Sequence, residues 1–300
     1  MSTLVQQLLN GLAWGSVYAL IALGYTMVYG VLKLINFAHG EVYMMGAMTG
    51  YYVGRWVQKA ELPMALRLPA TLLGAMVACA VLGFAIERLA YRPLRNASRL
   101  SALITAIGVS LLLQNAGQLV FGADPKYFPQ VLSYAEVINT GGVVLSNIQL
   151  VIMLTAVALM TGLHLFVQKT RLGRAMRAVA NDKAAAQLVG ISVDQIIALT
   201  FVIGSVLAAA AGVLVGLSNP KVEPLMGIMP GLKAFVAAVL GGIGNIVGAM
   251  LGGVLLGLVE TAVSAVGLST YRDAIAFALL IAFLLFRPTG IMGRPDVEKV

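Results

Sequence analysis

The sequence has 300 residues, of which 60% are hydrophobic and 11% charged, and its net charge is +8. Soluble domains carry roughly 25% charged residues, so this chain has too little polar surface to face water on all sides. We therefore predict an all-α polytopic membrane protein. The cations are grouped in a few loops and are not interleaved with aromatic residues, which argues against nucleic-acid binding.

Eight apolar segments follow one another along the chain with short polar connections, which predicts a single membrane domain over residues 1–300. The segments cover about 4–32, 41–57, 68–86, 101–121, 147–167, 195–217, 232–266 and 274–286. The seventh is too long for one crossing, and the run 241–245 (GGIGN) interrupts it. We expect a half-helix over 232–240 and a full span over 246–266. This gives about eight transmembrane helices plus one re-entrant or broken helix.

Lysine and arginine residues in short loops predict the orientation of the chain. The basic loops, which we expect in the cytoplasm, cover residues 87–100, 169–183 and 287–300. The loop at 122–146 holds only Lys126 and should be external, as should the N-terminus, which has no Lys or Arg before Lys33. One connection conflicts with this rule, because it should also be external but carries Arg55, Lys59 and Arg67.

Several polar residues and glycines lie within or between apolar segments, where an unpaired polar group is costly. Broken helices in transporters tend to mark the transport pathway. Our candidates for a translocation path or gate are therefore Asn36, His39, Glu41, Gly241, Gly242, Gly244, Asn245 and Glu260. A structural alternative stays open for three of them. His39 and Glu41 can hydrogen-bond to backbone freed by the break before the second segment, and Glu260 can pair with a neighbouring helix.

Other polar and small residues have simpler interpretations. We expect Gln114 and Asn115 to form hydrogen bonds between helices, and His164 to lie near the membrane interface. Glycines recur every fourth residue in two places, which predicts two close helix-packing faces or a weak internal repeat. The two sets are Gly46, Gly50 and Gly54, and Gly244, Gly248 and Gly252.

Motifs for catalysis are missing from the sequence. It has two histidines, one cysteine, Cys79, and neither an HExxH nor a GxSxG motif, so we predict no enzyme site, metal site or bound cofactor. It also has no GxxxxGK[ST] motif for binding phosphate. If transport uses ATP, a separate polypeptide must hydrolyse it.

The longest polar run, residues 169–194, carries apolar residues at helical spacing, which predicts short amphipathic helices at the membrane surface. Within it, residues 184–191 (AAAQLVGI) resemble the cytoplasmic loop of ATP-binding-cassette (ABC) importer permeases, whose pattern is Glu-Ala-Ala, three residues, then Gly. Ala184 stands where that pattern has Glu. A short helix that ends at Gly190 makes a compact knob that can seat in an ATPase subunit.

The resemblance extends over essentially the whole chain, which is similar to the branched-chain amino acid permease family. It is closest to the first of the two permease subunits of the leucine, isoleucine and valine importers. The matching stretches are residues 10–25 (NGLAWGSVYALIALGY), 35–41 (INFAHGE), 173–190 and 241–245, and the tail from Arg287 to Ile291 with Gly293, Arg294 and Pro295.

This resemblance implies an ABC importer permease fold in a bacterial inner membrane. The implied partners are a sister permease, two ABC ATPase subunits that hydrolyse ATP, a periplasmic amino-acid-binding protein and membrane lipid. We expect ATPase coupling through the loop at 169–194, at Arg174, Arg177, Asn181, Asp182, Ala185, Ala186 and Gly190.

Three alternatives remain open at this point. The first is a secondary transporter or channel that uses Glu41, His39 or Glu260 as an ion or proton site. The second is an ABC permease for another substrate such as ribose, urea or short amides. The third is a structural membrane scaffold, which leaves the broken seventh segment unexplained.

Overall fold

The fold is helical, with four very short strands at one end. The computed structural model describes residues 2–95, 97–140 and 142–293, without the side chain of Arg99. The predicted tail residues Arg294 and Pro295 lie outside the described part. The helices are α1 Ser2–Leu32, α2 His39–Lys59, α3 Met64–Ile86, α4 Arg99–Phe121, α5 Asn147–Lys169, α6 Arg171–Asn181, α7 Lys183–Leu188, α8 Val193–Ser218, α9 Ile228–Gly241, α10 Ile246–Ala265 and α11 Arg272–Phe286.

The strands form two small antiparallel pairs, β1 with β4 and β2 with β3. Their bounds are β1 Lys126–Tyr127, β2 Glu136–Thr140, β3 Val143–Ser146 and β4 Lys221–Val222. A π-helical turn, Glu87–Tyr91, and a 3-10 turn, Arg92–Leu94, extend α3. A further 3-10 turn, Ser269–Tyr271, precedes α11.

Seven helices in the described part are long and apolar enough to cross a membrane, which confirms the predicted fold class. They are α1, α3, α4, α5, α8, α10 and α11. The second predicted segment, α2, has the length of a span but carries Glu41, Arg55 and Lys59. Arg55 and Lys59 are exposed near its end, and only Glu41 lies in the interior, where α2 packs between α3 and α8. The ninth helix is only 14 residues long, as expected for a half-helix.

Glycines set the close packing of the central helices. A methyl group in place of the Gly15 hydrogen would lie 2.8 Å from the Val254 Cα, so α1 and α10 meet backbone to backbone. Gly46 of α2 contacts the Ala209 backbone of α8 in the same way. Small residues favour such approaches because van der Waals packing holds membrane helices together. The stripe of Gly46, Gly50 and Gly54 is therefore a packing face, as are Gly248 and Gly252 of the second stripe, whereas Gly244 lies in the turn before α10.

One face of the bundle gathers the segments that we predict to be external. The Gln6 side chain accepts a hydrogen bond from the Val144 backbone at 2.7 Å, which joins the N-terminus to the loop at 122–146. Gln58, near the end of α2, donates to the Gln130 carbonyl of the same loop at 2.8 Å. The connection with Arg55, Lys59 and Arg67 therefore lies on the face of this loop, as the predicted topology requires.

The opposite face holds the segments that we predict to be cytoplasmic. Gly30, near the end of α1, lies against Gly244. Arg92, beyond α3, contacts Asp194 at the start of α8 at 2.7 Å. Helix α6 packs against the end of α5. The turn at 87–94, α6, α7 and the turn at 242–245 thus share one end of the bundle.

The break predicted at 241–245 is a tight turn at this end and does not interrupt a helix at membrane depth. Gly242 and Gly244 have φ values of 103° and 95°, which glycine adopts without strain, and they reverse the chain between the antiparallel α9 and α10. The buried interruptions lie elsewhere, where α2 and α9 begin. A methyl group on Gly40 would lie 2.6 Å from the Gly227 carbonyl oxygen, so the two helix N-termini meet inside the bundle.

Candidate functional site

A cavity of about 190 Å³ lies where the N-termini of α2 and α9 meet α4. It opens sideways between α4 and α9, because Ile107, Leu111 and Leu232 along its edge are exposed. Its lining residues are Tyr25, Phe37, Gly40, Glu41, Ile107, Ser110, Leu111, Gln114, Gly227, Ile228, Gly231 and Leu232. Of the predicted path residues, only Glu41 lines this cavity.

Glu41 is buried, with 2% of its surface exposed. Its Oε1 accepts hydrogen bonds from Gln114 Nε2 at 2.8 Å and from Ser110 Oγ at 3.3 Å, both on α4. Its Oε2 has no hydrogen-bond partner among the described residues. The prediction that Gln114 joins two helices is confirmed. The same prediction was wrong for Asn115. This residue lies on the exposed side of α4, so its side chain donates to the Leu111 carbonyl of its own helix.

Asn36 holds the turn that leads into α2. Its Oδ1 accepts hydrogen bonds from the Ala38 backbone N–H at 3.1 Å and from Tyr91 Oη at 2.9 Å. These bonds give Asn36 a structural role and occupy its side-chain oxygen. A path role for Asn36 stays a prediction.

His39 lies in the first turn of α2, with its ring 4.8 Å from the Tyr25 ring between centroids. The imidazole sits directly over Gly24 of α1, where any side chain would overlap it. Its Nε2 has no hydrogen-bond partner in the described part of the chain. His39 is thus enclosed by the bundle and does not line the cavity, and its role stays a prediction.

Glu260 belongs to a separate buried ion network, formed by α1, α9, α10 and the start of α11. Its carboxylate lies 2.8 Å from Lys233 Nζ and 3.6 Å from Arg272 Nε, and Tyr18 Oη donates to it at 2.9 Å. Lys233 also contacts Asp273 at 2.6 Å. The expectation that Glu260 pairs with a neighbouring helix is confirmed. Sequence reasoning missed Lys233, although a lysine inside an apolar segment was the signal that could have found it.

The turn at 242–245 is held by the C-terminal tail. Asn245 accepts a hydrogen bond from the Gly248 backbone at 3.0 Å, which caps α10, and its Nδ2 donates to the Met292 carbonyl at 2.9 Å. The Met292 N–H donates in turn to the Gly241 carbonyl at 3.0 Å. Gly241, Gly242, Gly244 and Asn245 therefore form a closed turn under the tail, away from the cavity at Glu41. Their part in a path stays a prediction.

The polar run 169–194 folds into two short helices, as predicted, and each begins at a side-chain cap. Thr170 accepts a hydrogen bond from the Gly173 backbone at 3.0 Å and starts α6. Asp182 accepts one from the Ala185 backbone at 3.0 Å and starts α7. Gly190 follows α7 with a φ of 84°, in open space. This is the usual glycine stop of a helix.

The seven predicted coupling residues divide by where their side chains lie. Arg174, Arg177, Asn181, Asp182, Ala185 and Gly190 are exposed, whereas Ala186 is buried against the bundle. The Arg177 guanidinium donates to the Val167 carbonyl at the end of α5, which ties α6 to the bundle.

Sequence reasoning counted Leu188 and Val189 among the apolar residues of the amphipathic helices but not among the coupling residues. They are the most exposed apolar residues of the loop, at 89% and 75%. With Ala185 and Gly190 they form what we call the coupling knob. Their position just before Gly190 was the sequence signal that could have identified them as coupling residues. Exposed apolar side chains on a face that should be in water indicate a contact surface.

A cluster of charges ties the coupling loop to the rest of the bundle. Asp194, after the knob, contacts Arg92 at 2.7 Å and also pairs with Arg95, which in turn pairs with the buried Glu87. Lys183, at the start of α7, lies near the same cluster. Burial lowers the pKa of its ammonium group, and the charges of Arg95 and Lys33 lower it further. Asp194 thus joins the start of α8, just after the knob, to the turn at 87–94 by ion pairs.

Comparisons with known proteins agree with the resemblance seen in the sequence. The family described as branched-chain amino acid transport system / permease component matches residues 7–284. The high-affinity branched-chain amino acid transport system permease protein BraD of Pseudomonas aeruginosa is 49% identical, over 99% of this chain and 98% of its own length. The corresponding protein LivH of Escherichia coli (strain K12) is 47% identical, over 99% of this chain and 97% of its own. A probable permease protein LivH of Methanocaldococcus jannaschii is 28% identical, over 68% of this chain and 63% of its own.

Proposed function

The chain belongs to the family of permease components of branched-chain amino acid transport systems, and from this premise we propose that it forms half of a path for leucine, isoleucine and valine. The observation that carries the substrate is the near full-length similarity to BraD and LivH, whose names state it. In this proposal the protein is a multi-pass subunit in the inner membrane of a bacterium. A sister permease completes the path, and a periplasmic binding protein delivers the amino acid.

Energy for transport comes, in this proposal, from two ABC ATPase subunits, one of which binds at the coupling knob. The knob supports this because it combines exposed Leu188 and Val189 with the end of α7 at Gly190. Asp182 caps the start of α7, so in this proposal the short helix moves as a rigid body when the ATPase subunit moves. Position 184 is Ala and not Glu, so no ion pair can form there. In this proposal the shape of the knob and its apolar contacts make the interface with the ATPase subunit.

Reconstitution tests the proposal directly. We expect the purified chain alone to give neither ATP hydrolysis nor leucine uptake in proteoliposomes. The complete set of sister permease, two ATPase subunits and loaded binding protein should give both. Omission of the binding protein should abolish uptake while leaving the complex assembled. Robust leucine uptake by this chain alone, driven by an ion gradient, would contradict the proposal.

A second candidate is favoured by one observation, the buried Glu41 carboxylate, whose Oε2 receives no hydrogen bond from the residues that the structure describes. Such a group is a common proton or ion site in secondary transporters. The same proteoliposomes distinguish the two candidates. A secondary transporter would show uptake coupled to pH or sodium without ATP, and Glu41→Gln would abolish that coupling.

A further inference from the structure

The free oxygen of Glu41 is the starting point. Glu41 Oε1 is occupied by Gln114 and Ser110, but Oε2 points toward the N-terminus of α9, where a methyl group on Gly227 would lie 3.0 Å away. A buried carboxylate is costly unless a cation or donor group reaches it. The described residues supply neither at Oε2. A mobile cation that enters the cavity would supply it.

The rest of the cavity lining mixes polar and apolar side chains. Glu41, Ser110, Gln114 and Tyr25 supply the polar groups. The aliphatic and aromatic part is formed by Phe37, Ile107, Leu111, Ile228 and Leu232. A volume of about 190 Å³ suits a small molecule that is likewise partly polar and partly apolar. That description fits an ammonium group carried on a short branched hydrocarbon.

An anionic group also has a place there. Helices α2 and α9 begin at the cavity, and neither N-terminus has a side-chain cap. Backbone carbonyls already accept from the N–H groups of His39, Glu41 and Ile228, so it is the helix dipoles that favour a negative charge at these positions. The cavity thus offers a carboxylate for a cation and two helix dipoles for an anion, among apolar side chains.

We propose that this cavity binds the amino acid in transit, with Glu41 Oε2 accepting a hydrogen bond from the α-ammonium group. The α-carboxylate then lies at the start of α9, and the branched side chain packs against Ile107, Leu111 and Leu232. This site rests on the proposed function, because it needs an amino acid to pass through the subunit. It adds a binding step inside the membrane to the selectivity of the binding protein.

Glu41→Gln in the complete importer is the discriminating variant. The glutamine oxygen can still accept the hydrogen bonds of Gln114 and Ser110, while the group at Oε2 becomes an uncharged NH₂ that repels an ammonium. We expect the maximal rate of leucine uptake to fall about 10- to 100-fold, the range for losing a hydrogen bond to a charged group. ATP hydrolysis stimulated by the loaded binding protein should continue.

Glu136→Gln is the matched control, because Glu136 is an exposed carboxylate on β2, and its uptake should equal that of the unchanged importer. Normal uptake by Glu41→Gln overturns the proposal. So does a parallel loss of stimulated ATP hydrolysis, which would mark Glu41 as a residue needed for assembly. If the unchanged importer fails to take up leucine, the proposed function itself is wrong.

Thiol labelling provides a readout that does not depend on the transport rate. Ser110→Cys places a thiol beside Glu41, and the native Cys79 is buried. During turnover with leucine, we expect a small methanethiosulfonate reagent to modify Ser110→Cys several-fold more slowly than without leucine. The additional change Glu41→Gln should remove this protection. Equal protection in both backgrounds would show that leucine does not use the carboxylate.

Discussion

Buried charged residues are positions at which a single substitution should destabilise this protein strongly. The Lys233 ammonium lies between the carboxylates of Glu260 and Asp273, and the Lys233 and Glu260 side chains are only 5% and 4% exposed. Each charge is stable there only because the other is present, since breaking a buried pair leaves one ion without compensation. Lys233 also joins the half-helix α9 to α10 and α11, so the pair fixes one wall of the bundle.

Lys233→Met should therefore lower the stability of the detergent-solubilised protein by about 3–5 kcal/mol, because Glu260 loses its closest cation. Thermal unfolding followed by size-exclusion chromatography measures the loss. The double variant Lys233→Met with Glu260→Gln removes both charges and should recover part of the stability. A single variant as stable as the unchanged protein would contradict this account.

At the residue level, sequence reasoning identified the polar groups but not their partners. Glu41, Asn36 and Glu260 stood out because a polar residue in an apolar segment is costly. Their partners Ser110, Tyr91 and Lys233 lie on other helices, and periodicity within one segment says nothing about contacts between segments. The cavity at Glu41 was unpredictable for the same reason, since four separate helices contribute to it.

Elements were predicted more completely than contacts. The apolar segments end within a few residues of the observed helices, because apolar length and polar flanks are local properties of the chain. The depth in the bundle at which a helix begins is not a local property of the chain, because it depends on contacts between segments. Helices α2 and α9 start inside the bundle, which depends on the close contact of Gly40 with Gly227. The sequence pointed to the glycine run at 241–245, which the structure shows to be a turn at one face.

The coupling knob is an element whose function depends on one glycine. Gly190 has a φ of 84°, where a side chain with a Cβ costs roughly 1–2 kcal/mol, although the space around it is open. We expect Gly190→Glu to uncouple ATP hydrolysis from leucine uptake, because the new charge lies beside Leu188 and Val189. Membrane insertion should be normal, since the knob is outside the bundle.

Gly190→Asn separates the effect of charge from that of backbone strain. Asparagine tolerates positive φ at helix ends better than other residues and adds no charge. This control should keep most of the uptake per ATP hydrolysed, measured on the reconstituted importer. Normal uptake by Gly190→Glu, stimulated by the binding protein, would refute the coupling role of the knob.

Over the whole molecule, the positions of the Lys and Arg residues and the packing of the helices indicate the same orientation in the membrane, except at one connection. Most of the Lys and Arg residues described by the structure lie on the face of the coupling knob, as expected for the cytoplasmic side. The connection with Arg55, Lys59 and Arg67 lies on the other face, where Gln58 contacts the loop at 122–146. The packing of α2 and α3 therefore determines the side on which this connection lies, against the preference of its positive charges.

This conflict yields a direct test of orientation. Lys59 is exposed at the end of α2, so Lys59→Cys should react with a membrane-impermeant thiol reagent from outside intact spheroplasts. Tyr134→Cys, in the loop at 122–146, should react in the same way, whereas Leu188→Cys on the knob should react only after permeabilisation. The buried native Cys79 should stay unlabelled throughout. If Lys59→Cys needs permeabilisation while Tyr134→Cys does not, then α2 does not cross the membrane as its contact with this loop requires.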